Sequence, residues 1–142
     1  MPAYPKKPFG SPEKPSGPLD KPKGSPAPIG HYSPTVRHGD LIFFSGQTPI
    51  DPATGKLVEG GIELQTARAL ANLAALLLKE GLTWKNVLRS GVFLTSMADF
   101  DAMNKVYASV LGEAKPARTT VAVHQLPRGA LVEIDIIASA KK

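Results

Sequence analysis

From Ile29 to the C-terminus the chain alternates apolar and polar positions in two distinct periods, and that pattern lays out the domain. "HYSPTVRHGDLIFFSG" reads as a strand, a turn at His38-Gly39-Asp40 and a second strand through Leu41 to Ser45, so the domain opens with a hairpin. "TPIDPATGK" is turn chemistry throughout and predicts a loop. In "IELQTARALANLAALLLKEG" the period changes: Leu70, Leu73, Ala74 and Leu77 fall on one helical face, with Lys79 in the last turn and Gly81 as a stop. "VLRSGVFLT" returns to a strand apolar enough to be central. Ser96 and Asp99 have capping-box spacing and open a second helix with Phe100, Met103, Val106, Tyr107 and Val110 on its inner side. "TTVAVHQ" and "ALVEIDIIAS" are two further strands separated by "LPRG". The order β-β-α-β-α-β-β predicts an α+β fold, one sheet with two helices on one face. Five strands expose more apolar surface than two helices cover, and oligomerisation is the natural solution.

Composition adds an extension and removes several chemistries. Residues 1–28 hold nine of the fourteen prolines, with Gly, Ser and Lys and almost nothing apolar, and such a segment buries too little to offset its ordering entropy. It reads as polyproline-like extended chain, a solubilising tail or a docking arm, ahead of a domain spanning 29–142. Lys6, Lys7, Lys14, Lys21 and Lys23 against Glu13 and Asp20 place more than half of the net charge of +5 in this segment. The domain itself is too mildly basic to make an obvious phosphate-binding surface, which argues against nucleic acid as the partner. Without cysteine there are no disulfides or thiolate sites, and three scattered histidines lack metal-ligand spacing. No apolar run spans a bilayer and the N-terminus lacks a secretory h-region, so a cytoplasmic protein is expected.

Against this pattern two residues stand out. Glu133 and Asp135 sit two apart in an otherwise aliphatic strand, so they share a face with Leu131 and Ile137 while Val132, Ile134 and Ile136 share the other. The aliphatic side should meet the helices, and the carboxylates should face the surface left for a partner, either as interface ion pairs or as the wall of a ligand site. A ligand site needs a cation, and Arg118 in "KPARTTV" offers a planar fork suited to a carboxylate. Tyr32 after Gly30, Gly46 in "FFSGQ", where a ligand can approach the backbone, and the amide of Asn104 on the Phe100–Tyr107 stripe are further candidates.

In "PIGHYSPTV", "FFSGQTPIDPATGKL", "VFLTSMADFDAMNKVYASVLGEAKPARTTV" and "LPRGALVEIDIIA" the chain resembles the RidA (YjgF) family of enamine/imine deaminases over residues 26–140. The resemblance implies a chorismate-mutase-like fold and a homotrimer with an inner barrel and clefts between subunits. It implies hydrolysis of 2-imino or enamine acids, such as 2-aminoacrylate and its tautomer 2-iminopropionate, to 2-keto acids and ammonia, with no cofactor or metal. Arg118 then grips the substrate carboxylate and Glu133 positions or activates water. Tyr32 and Asn104 line the pocket, and Gly46 and Thr120 lend it backbone. Asp135 is expected to be structural. His31 stands where the family usually has proline, and Thr120 where it often has cysteine or serine. Deamination of another enamine, a non-catalytic ligand-binding or chaperone-like trimer, and a ribonuclease-type role carried by the basic arm are the competing readings.

Overall fold

The computed structural model describes residues 24–141. The expected N-terminal extension therefore lies, up to residue 23, outside the described residues. The hairpin is present as β1 (Thr35–His38) and β2 (Leu41–Gln47), turning at Gly39 with φ 63°. Its loop to the first helix holds a two-rung ladder of β3 (Ile50–Asp51) and β4 (Lys56–Leu57), where the sequence suggested turns alone. Helix α1 (Ile62–Lys79) leads to β5 (Val87–Leu94), α2 (Phe100–Leu111), β6 (Ala117–Ala122) and β7 (Val132–Ser139). The main sheet has the order β1-β2-β7-β5-β6.

All neighbours are antiparallel except β5 and β6, which α2 joins as a parallel crossover pair. Although Arg118 begins the strand that precedes the carboxylate strand in the chain, β6 pairs with β5, and β7 lies at the centre of the sheet between β2 and β5. The aliphatic strand needs burial on one face along its whole length, and the centre supplies it. Val132, Ile134, Ile136 and Ala138 are buried in the core with Leu70, Leu73 and Leu77 of α1 and Met103, Tyr107 and Leu111 of α2. The α2 stripe runs in steps of four, Met103-Tyr107-Leu111, which rotates Val110 off the inner face; it is exposed, against expectation. Ser96 caps a short 3-10 turn, Met97–Asp99, that feeds α2.

The opposite face of the sheet has no helix on it. Val36, Leu41, Phe43, Leu88 and Val121 are exposed large hydrophobics on its strands. The helix-covered layer is held to the loops by buried polar side chains. Asn72 of α1 donates from Nδ2 to the Thr48 and Ile50 carbonyls at 3.1 and 2.9 Å, and its Oδ1 accepts from Arg68 Nε at 3.1 Å. Gln65 accepts from the Leu131 N–H at 2.8 Å, which fixes the entry to β7.

Candidate functional site

Alternation along β7 puts Glu133 and Asp135 on the open face, half-buried, as their spacing predicts. Both are flanked by glycine on the neighbouring strands. β2 carries a bulge between Phe44 and Gln47, and Gly46 lies in it; a Cβ there would overlap the Glu133 carboxylate and come 2.9 Å from its Cδ. On the other side Gly91 is the cross-strand neighbour of Asp135 and donates its N–H to Oδ1 at 3.0 Å. A Cβ at Gly91 would sit 2.6 Å from that oxygen. The two glycines are therefore space for the two carboxylates as well as strand backbone.

The electrostatics of the pair differ. Burial holds the Glu133 carboxyl above its ordinary value of 4.5, and the charge of Asp135 pushes it further. Burial also raises Asp135, but the Gly91 N–H and the Arg89 guanidinium oppose it. Asp135 thus has partners within its own chain, whereas no cation offsets Glu133 among the described residues. Arg89 in turn donates to Thr119 Oγ1 at 3.1 Å on the same face.

Glu133 lies in the wall of a cavity of about 410 Å³ shared with Tyr32, Gly46, Gln47, Thr48 and Ile50. Pro26 to Ile29 form another part of its lining. Tyr32 is brought there by the Ser45 hydroxyl, which donates to the Ser33 carbonyl at 2.7 Å, and by the Ser45 N–H on the Pro34 carbonyl at 2.9 Å. Its ring packs on Gly30, and its hydroxyl accepts from the Ile29 N–H at 3.4 Å.

Arg118 is elsewhere. It pairs in register with Ser90, whose hydroxyl shares a buried 2.6 Å hydrogen bond with Tyr107 of α2, so Arg118 faces the helix side of the sheet. Its guanidinium lies 4.7 Å from the Tyr107 ring centroid and 5.8 Å from that of Phe100. Asn104 occupies the turn between those two rings, and Thr120 is two residues along the strand on the same face as Arg118. The Thr120 hydroxyl is buried without a partner, one of two such side-chain atoms among the described residues. The six candidates thus form two groups on opposite faces: Tyr32, Gly46 and Glu133 on one, Arg118, Asn104 and Thr120 on the other. Within one chain they do not converge.

One pocket residue escaped the sequence reading. Arg128, in the "LPRG" turn, lines the same cavity as Glu133 and donates from Nη1 to the Gly55 carbonyl at 3.0 Å. Its backbone is left-handed, φ 59° and ψ 19°, and it alone of the described non-glycine residues has positive φ. That conformation costs a side-chain-bearing residue about 1–2 kcal/mol. A turn of Pro-Arg-Gly was legible; which of its residues would adopt the left-handed conformation was not.

Comparison with known proteins identifies the family of the chain. The family model described as Endoribonuclease L-PSP matches residues 22–140. A RutC family protein of Pyrococcus horikoshii is 45% identical over 116 residues, covering 82% of this chain and 92% of its own. The mouse protein named 2-iminobutanoate/2-iminopropanoate deaminase is 40% identical over 114 residues, 80% of this chain and 84% of that one. Among solved structures, a Yersinia pestis member of the conserved Rid protein family superposes with a TM-score of 0.80 at 42% identity, covering 82% of this chain and 94% of that one. The chain belongs to the Endoribonuclease L-PSP family, the RidA (YjgF) family that its motifs resemble.

Proposed function

We propose that this protein hydrolyses 2-imino acids of the 2-iminopropionate type to 2-keto acids and ammonia, in a cleft completed by Arg118 of one copy and Glu133 of another. The observation that carries the reading is the carboxyl of Glu133, raised in a cavity wall where no cation among the described residues offsets it. A structural carboxylate at that depth would be ion-paired. A proton-transfer group needs the opposite. The name of the mouse relative supports the choice of substrate class.

In this mechanism the Arg118 guanidinium, held on the Tyr107 ring, takes the substrate carboxylate through two parallel hydrogen bonds. The imine carbon is thereby fixed against a water on Glu133. The ionised carboxylate takes a proton from that water as its oxygen bonds to the carbon of the protonated imine, whose C=N electron pair moves to nitrogen and leaves a neutral amine. The protonated carboxyl then passes its proton to the amine and, as the C–N bond breaks, takes the proton of the new hydroxyl, releasing ammonia and the keto acid. A pKa above the ordinary carboxylate range suits both halves of this exchange. Fixing two reactants accounts for most of the acceleration, since the imine already hydrolyses in water.

The test is pyruvate release from 2-iminopropionate made in situ from serine by a dehydratase and challenged with semicarbazide. Wild type should accelerate release, and Arg118→Ala should remove most of that acceleration, about 100-fold in kcat/KM for loss of a bidentate charged contact. If wild type matches buffer, the reading is wrong for this substrate.

A further inference from the structure

We propose that Arg128 is a specificity-determining residue of the Glu133 cavity, binding a second anionic group carried on the side chain of the substrate, so that dicarboxylic imino acids are preferred over monocarboxylic ones. The chemistry rests on the deaminase reading; the recognition does not.

Three observations converge on Arg128. Its backbone is left-handed and is followed by Gly129 at φ 77°, a turn that Gly or Asn would make with less strain at either position. The turn itself therefore gives no reason for a long cation here. Next, the guanidinium is already oriented: the Nη1 bond to Gly55 ties it to the 52–55 loop, and both Arg128 and Gly55 line the cavity. One of its five donors is used by that bond, and the others remain for a planar anion. Finally, its charge is not consumed. Among the described residues no carboxylate pairs with it, and the causes acting on Glu133 in the same cavity include no cation.

The cavity has room for this. At about 410 Å³ it lies within the range of sites that enclose drug-sized ligands, well beyond what a three-carbon imino acid fills. Pro52 and Pro127, residues with little rotamer freedom, line the cavity together with Arg128. A side-chain carboxylate there would meet a pre-oriented fork, while an alkyl side chain would leave the guanidinium to water.

The experiment compares 2-iminoglutarate with 2-iminobutanoate, each made in situ from its amino acid by an oxidase, in wild type, Arg128→Asn and Arg128→Lys. Asn tolerates the left-handed backbone and keeps the fold; Lys keeps the charge and loses the fork. Calorimetric binding of 2-oxoglutarate and 2-oxobutanoate to the same proteins gives a readout independent of turnover. We expect wild type to prefer the dicarboxylic member by about tenfold, the factor of one charge-assisted hydrogen bond, in both assays. Arg128→Asn should erase the preference and Arg128→Lys should retain part of it. An equal loss on both members of each pair would make Arg128 a brace for the 52–55 loop and overturn the proposal, as would a wild type without preference. If the oxo acids bind with an Arg128-dependent preference but neither imine is turned over, the deaminase reading falls and the assignment of Arg128 stands.

Discussion

Glu133 shows what a single charge in an aliphatic strand demands of its surroundings. Its carboxyl is raised by burial first and by Asp135 second, so folding favours the protonated form. The stabilisation from that form is present below the ordinary value of 4.5 and is lost as the pH rises through the raised folded value. Glu133→Gln cannot ionise and does not undergo this loss. Urea denaturation at fixed protein concentration should show the Gln variant gaining on wild type from pH 4.5 upward, with the gap closing below it; parallel profiles would show that Glu133 ionises freely in the fold. The pairing of carboxylates was visible in the sequence because alternation fixes their face. The glycines that make room for them were not, because Gly46 and Gly91 lie 87 and 44 residues from their carboxylates and meet them only through sheet register.

Elements were legible to the extent that their own pattern decided them. The helix over α1, the opening hairpin and the interior strand β5 follow from periodicity; β1 begins at Thr35 where the strand reading began at His31, and the other ends differ from the expected ones by a residue or two. What periodicity does not contain is who pairs with whom, and β6 went to β5 because α2 carries the chain across the helix face between them. The walls of the pocket depend on one such long-range tie. Asn72 holds the Thr48 and Ile50 carbonyls, and Thr48 and Ile50 line the Glu133 cavity. Asn72→Ala leaves these buried groups without their donor and should cost about 1–3 kcal/mol in denaturant-measured stability, with a rise in KM as the loop loosens. A variant with wild-type stability would show that water replaces the amide at no cost.

For the molecule as a whole, the placement of Arg118 and Glu133 on opposite faces of one sheet is the feature with the widest reach. Fold and face assignment were accessible from the alternation of β7. The division of the site was not, because it depends on β6 lying at the sheet edge with its arginine turned toward α2. Under the proposed function this geometry has a genetic signature. An allele encoding Arg118→Ala and another encoding Glu133→Gln are each inactive alone, yet co-expressed they build mixed assemblies in which some clefts receive both intact residues. Such a strain should recover a measurable fraction of deaminase activity, whereas one allele carrying both lesions, paired with wild type, should depress activity below the share of wild-type chains present. If the two single alleles together stay as inactive as each alone, no working cleft combines Arg118 of one copy with Glu133 of another, and the proposed site falls.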